Sequence, residues 1–272
     1  MKRIILILFI YLLINRCHAN GLLTPVGGRP AAMGKTSACD QGLWALSNNP
    51  AGLSHLTGWQ FGLYYENQWM LKETGYKSGG IAKTFDGIGC FGLTVNQFGW
   101  SEHSENLIGI AYSRDFGPYL SMGLRADLWW LHSGEGYPDL FAPGFTLGVQ
   151  SQVTDKLMLG AVLVNPIQSR LKTVNEDRLP IVMRLGCAYR FNDDFIGQCE
   201  VEKDSQIQGV RLAGGFEYTL LGRFQVRAGA QYNPNVISFG AGYQIRKLQV
   251  DVAAQMHQAL GASLQISLEY VL

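Results

Sequence analysis

The sequence predicts an all-β protein, an antiparallel 14-stranded transmembrane β-barrel with an N-terminal plug segment inside the lumen. Three observations carry that expectation. From Trp59 to the C-terminus, apolar and polar residues alternate in short runs, the mark of strands whose two faces meet different surroundings. The connections between runs alternate between short and long. The composition is unlike a soluble domain: of 272 residues, 16% are charged and 33 are glycine, with a mean hydropathy of +0.04. Soluble domains carry about 25% charged residues and about 7% glycine. A 47% hydrophobic content excludes a disordered chain. The balance of 22 Lys+Arg against 21 Asp+Glu leaves no positive excess for a nucleic-acid partner.

Residues 1–19 read as a secretory signal peptide. Lys2 and Arg3 form a basic start, Ile4 to Ile14 is an unbroken apolar run, and Cys17 and Ala19 supply small side chains before a cut at Asn20. The run is shorter than the roughly 20 residues a membrane-spanning helix needs. Cleavage removes three basic residues and no acidic one, so the mature chain is slightly acidic.

Residues 20–58 show no strand alternation. Gly34 and the run Asn48-Asn49-Pro50-Ala51-Gly52 break the segment into short turns, while Leu43, Trp44, Leu46 and Leu53 need a dry place. The lumen is the nearest one, so Met33, Gly34, Asn49, Pro50, Ala51, Gly52 and Leu53 are expected to form a plug. A periplasmic tail is the alternative.

Residues 59–272 form the barrel. Fourteen runs centre near residues 62, 80, 93, 110, 126, 148, 160, 185, 199, 214, 228, 241, 252 and 267. The last is the clearest: Leu264, Ile266, Leu268 and Tyr270 alternate with Ser263, Gln265, Ser267 and Glu269. An even number of runs about ten residues long suits a single-chain outer-membrane barrel. Short turns are expected at Asp86-Gly87, Phe116 to Pro118, Asp155, Asn192 to Asp194, Leu221-Gly222 and Arg246-Lys247. Longer loops are expected at Asn67 to Gly75, Trp100 to Glu105, His132 to Pro143 and Asn165 to Leu179. Short periplasmic turns and long outer loops follow the same pattern.

The apolar face should meet outer-membrane lipid, with Tyr65, Tyr112, Trp130, Tyr189, Phe195, Tyr218, Phe224, Tyr232, Tyr243 and Tyr270 near its edges as interfacial girdles. The other face is rich in Gly, Ser and Gln rather than the Lys and Glu of a solvated sandwich, as suits a crowded lumen. It also carries Arg125, Asp127, Trp129, Arg184, Glu200, Glu202, Arg211, Glu217, Arg227 and Asp251. These mixed charges either pair with one another in a filled lumen or line a selective pathway.

A hairpin turning at Asn192 to Asp194 sets Arg184 opposite Glu202 and Cys187 opposite Cys199. The cysteines are a possible disulfide or two inert thiols on the apolar face. No CxxC pair, HExxH, GxSxG or phosphate-binding loop occurs, so no metal, cofactor or catalytic residue is expected. His103, His132 and His257 fall in or beside loops. His132, Glu135, Tyr137 and Asp139 share one outer loop, a candidate binding surface or, less simply, a rim enzyme.

Several pieces carry a family resemblance: Ala32-Met33-Gly34, Asn49-Pro50-Ala51-Gly52-Leu53, Gly134 to Tyr137, Asn165-Pro166-Ile167, Asn175 to Pro180, Glu200 to Asp204, and Leu260 through Tyr270. The chain resembles FadL-type outer-membrane β-barrels, and is most similar to short members of the PorV/PorQ-like family linked to type IX secretion. The residue after Met33-Gly34, usually glycine in that family, is Lys35 here. The resemblance implies a non-enzymatic accessory component that docks a secretion translocon or exported cargo through outer loops. Its alternative implication is a FadL-like plugged channel for uptake of a small hydrophobic solute.

Overall fold

The computed structural model describes residues 21–134, 136–171 and 178–272. The expected signal peptide, Glu135 and the piece Asn175 to Asp177 lie outside the described residues. Fourteen antiparallel strands close into one barrel, each beside its sequence neighbours and β1 beside β14. They are β1 (Trp59–Asn67), β2 (Gly75–Phe85), β3 (Gly89–Trp100), β4 (His103–Asp115), β5 (Leu120–His132), β6 (Leu140–Gln152) and β7 (Leu157–Val164). Then follow β8 (Val182–Arg190), β9 (Phe195–Asp204), β10 (Arg211–Leu220), β11 (Phe224–Tyr232), β12 (Val236–Ile245), β13 (Leu248–His257) and β14 (Gly261–Val271). Closure runs from Gln60 opposite Val271 to Asn67 opposite Leu264, which removes the exposed sheet edges an open sheet would leave.

The period-two pattern sorts side chains as the residue types require. In β1, Trp59, Phe61, Leu63 and Tyr65 point out while Gln60, Tyr64 and Glu66 are buried inside. Leu63 is 66% exposed and Ile110 62%, exposures that suit a lipid face. Rings gather outside the short-turn end: Tyr189, Phe191, Phe195 and Phe216 form a chain with centroids 5.0 to 5.6 Å apart. Lys83 lies 4.7 Å from the centre of the Trp59 ring and 4.6 Å from that of Phe85. A cation over aromatic faces at the barrel's rim is typical interfacial anchoring.

One loop expectation is corrected. Residues 101–102 alone join β3 to β4, because the ladder continues to Trp100 opposite His103. Phe98 pairs with Glu105 across the ladder, so both residues stay in the sheet and Ser101-Glu102 is a tight turn rather than part of a loop.

The core lies inside the barrel. Residues 21–56 run through the lumen as a short α-helix, α1 (Gly28–Ala32), and 3-10 turns at Gly21–Leu23, Leu43–Leu46 and Pro50–His55. Met33, Leu43, Leu46 and Leu53 are fully buried there. Four directly opposed glycine pairs of the wall make room for this segment: Gly62 with Gly80, Gly123 with Gly148, Gly160 with Gly186, and Gly215 with Gly229. A Cβ on Gly215 would sit 2.6 Å from the Met33 Cα, and one on Gly148 would sit 2.9 Å from Pro50 Cδ. One on Gly160 would overlap the Ala38 carbonyl. The high glycine content therefore has a packing cause, since only a side-chain-free wall admits backbone this closely.

Candidate functional site

The lumenal segment is tied to the barrel by hydrogen bonds to its backbone. Helix α1 lies against β11 to β14, where Ser267 Oγ accepts from Gly28 N–H at 3.1 Å and Gln255 donates to the Ala31 carbonyl at 2.8 Å. Ser238 Oγ donates to the Ala32 carbonyl and accepts from Gly34 N–H, both at 2.9 Å. Glu200 accepts the N–H groups of Ser37 and Ala38, both at 2.7 Å. A carboxylate answering two consecutive amides does the work a helix cap does elsewhere. Gly34 has φ +71, and a Cβ there would lie 2.5 Å from the Ala230 carbonyl, so glycine is required. Lys35 follows with φ +61, a left-handed conformation glycine adopts more easily. Its ammonium pairs with Glu66 at 3.2 Å, which supplies a reason for lysine at this position.

Asn48 and Asn49 staple the segment to itself. Asn48 exchanges two hydrogen bonds with the Val26 backbone, each 2.8 Å, and donates to Asp40 at 2.8 Å. Asn49 caps the Pro50–His55 turn by accepting from Ala51 N–H at 3.1 Å and reaches the Ala38 carbonyl at 2.5 Å. Gly52 packs on the Asp40 carbonyl so closely that any Cβ would overlap it. The Asn-Pro-Ala-Gly motif is thus a fold-back device, with Pro50 on Gly123 and Gly148 and Leu53 buried.

All ten lumenal residues named from the sequence face inward in the structure, and the charged ones form networks. Arg227 joins Glu217 and Asp251, each at 2.5 Å, and Glu217 also takes Arg29 at 2.9 Å. Arg29 continues to Asp40 at 3.2 Å. Arg184 pairs with Glu202 at 2.5 Å and donates to the Leu23 carbonyl. Arg211 meets Glu200 at 2.8 Å and Glu202 at 3.0 Å. Arg125 pairs with Asp127 at 2.5 Å and donates to the Leu46 carbonyl at 2.5 Å. Arg184 and Arg125 therefore grip segment carbonyls while their charges are neutralised by strand neighbours. Trp129 packs with Leu22, Val26, Trp44, Tyr64, Tyr76, Leu107 and Ala142. Sequence reasoning missed Arg29, Lys35, Asp40 and Glu66. The first three sit in the non-periodic segment, where no pattern marks a face. Glu66 lies on the polar face of β1 and was available.

Outside the lumen the candidates separate. His132 Nδ1 and Asp139 Oδ1 meet at 2.8 Å, whereas Tyr137 is 72% exposed and stands apart. Cys187 and Cys199 are opposed in register with sulfurs 3.2 Å apart, and both are free thiols. They sit on the outer face, half-buried and exposed, as small apolar side chains beside lipid.

At the long-loop end, a cavity of about 250 Å³ opens beside Leu23 and Pro25 of the segment. It is walled by strand ends, among them Glu66, Val182, Asp204, Arg211, Gln255 and His257. The barrel is thus occupied by its own chain, with a cavity left at its mouth.

No family model matches the chain, and no curated protein matches it. Solved structures do. The Pseudomonas putida toluene transporter TodX aligns with a TM-score of 0.65 at 16% identity, over 89% of this chain and 96% of that one. A TodX deltaS2S3 mutant, described as a monoaromatic hydrocarbon channel, aligns with a TM-score of 0.70 at 16% identity, over 89% and 97%. A Pseudomonas aeruginosa FadL homologue aligns with a TM-score of 0.63 at 13% identity, over 90% and 98%. The fold is that of the FadL-type barrels. At these identities the likeness is one of architecture, and it spans almost the whole of both chains.

Proposed function

We propose that the protein is an outer-membrane channel for uptake of small hydrophobic molecules, exported through a cleaved signal peptide. Residues 28–53 plug its lumen. The observation that carries this reading is the filled lumen, a closed barrel whose interior is occupied by its own N-terminal segment, with a cavity at the mouth beside it. Proteins of the same fold described as a toluene transporter and a monoaromatic hydrocarbon channel support it. A solute would enter at the mouth and pass along the segment. Passage through the wall between paired strands requires them to part, whereas Leu140 to Phe145 of β6 extend beyond the β6–β7 ladder.

The test is uptake into proteoliposomes. The whole protein should speed entry of a small aromatic solute over protein-free vesicles, and deletion of residues 28–53 should add a leak to polar solutes. Unchanged conductance after the deletion would end the plug reading.

The secretion-docking reading implied by the PorV/PorQ resemblance draws no support from the structures compared, which are channels and a transporter. The connections at 101–102, 233–235 and 258–260 also offer little outer surface to a large partner. Recovery of a translocon subunit in mild detergent would reverse this ranking.

A further inference from the structure

The mouth cavity has a chemistry that a channel for bare hydrocarbons does not need. It is small. An engineered pocket of about 150 Å³ holds benzene, so about 250 Å³ holds one substituted ring and not a long acyl chain. Leu23, Val182 and Ile207 supply apolar surface, but Asp204, Gln255 and His257 face the same space.

His257 is a fixed donor. Its Nδ1 accepts the N–H groups of Ala259 and Leu260, both at 3.1 Å, which places the ring proton on Nε2. Arg211 lines the cavity too, and its buried Nε–H has no hydrogen-bond partner. Below the mouth, the lumenal wall repeats the feature. The Tyr76 hydroxyl, Ser78 hydroxyl and Trp129 Nε1–H are buried and unpartnered. Tyr76 and Trp129 belong to the cluster that packs around Leu22 and Val26. Buried donors left unpaired are costly, and native proteins keep few of them.

Charge selects further. The cations at and beside the mouth, Lys35, Arg184 and Arg211, are engaged by Glu66, Glu200 and Glu202, and Asp204 adds one carboxylate more. A carboxylate solute would meet that negative surplus.

We infer that the mouth takes a small, uncharged, oxygen-bearing amphiphile the size of a substituted phenol, in preference to a hydrocarbon or a fatty acid. The inference rests on the channel reading and deepens it by naming the solute class. The solute's oxygen accepts from the His257 Nε2–H and then from the wall donors, while its ring lies on Leu23 and Val182. A hydrocarbon of the same shape would bury those donors unanswered, which is how hydrogen-bonding sites reject analogues lacking one polar group.

The test compares toluene with p-cresol, which differ by one hydroxyl. On the full detergent-solubilised protein, equilibrium binding should favour p-cresol by about tenfold, and decanoate should not compete. His257→Phe should weaken p-cresol several-fold and leave toluene unchanged, with the urea midpoint reporting that the variant is folded. Toluene binding as tightly as p-cresol to the unaltered protein, decanoate competing, or the folded variant binding p-cresol normally would overturn the inference. Proteoliposome flux separates the two readings. If both solutes enter faster than in protein-free vesicles and at equal rates, the channel stands and the solute class falls. If p-cresol binds selectively yet enters no faster, the solute class stands and the channel falls.

Discussion

The middle of the lumen and its mouth are built from the same strands but solve opposite problems. In the middle, the segment around Met33, Ala38 and Pro50 rests on opposed wall glycines, and its backbone is met by Glu200, Ser238 and Gln255. At the mouth the wall is polar and long-chained, a cavity is left, and the Arg211 Nε–H is unanswered. A segment keyed into glycine notches behaves as part of the wall. Exchange with a solute belongs at the mouth, where polar groups still lack partners.

Changes in the middle should therefore break the protein, and changes at the mouth should alter only what it binds. The largest effect is expected from Gly215→Leu, which drives a side chain into the Met33 backbone. It should cost about 3 kcal/mol or more in urea unfolding, or expel the segment and open a conductance. Glu200→Ala comes next, since it strips the acceptor from Ser37 and Ala38 and unbalances Arg211. A loss of about 3 kcal/mol is expected, and Glu200→Gln, which keeps an acceptor oxygen, should lose less. Lys35 sharpens the comparison at its boundary. Both Lys35→Gly and Lys35→Ala strand Glu66, but the glycine variant should be about 1 kcal/mol more stable, because only alanine retains the left-handed strain. The smallest effect is expected from Tyr137→Ser, within about 0.5 kcal/mol in stability and without change in solute uptake. A loss of a co-purifying protein in that variant would instead revive docking through this loop.

Much of the barrel is legible in the chain. All fourteen strands and the six short turns follow from alternation, because one residue of slip would turn a lipid-facing side chain such as Leu63 into the lumen. The β8–β9 register follows from one turn, since pairing across a hairpin is local. The turn at residues 101–102 was not legible, because Phe98 and Glu105 are both inward and the flanking residues do not alternate in polarity.

Periodicity and turn chemistry are enough to specify a closed fourteen-stranded sheet, its two faces and its lumenal charges, since each depends on neighbours a few residues away. Which lumenal groups meet depends on the sheet closing around the segment. Arg29 finds Glu217, Gly34 finds Ser238 and Lys35 finds Glu66 across long stretches of chain. The same closure turns eight scattered glycines into four notches, and strand ends from β1, β8, β9, β10 and β13 into one cavity. Such contacts follow from the curvature and stagger of the whole barrel, which no local pattern encodes.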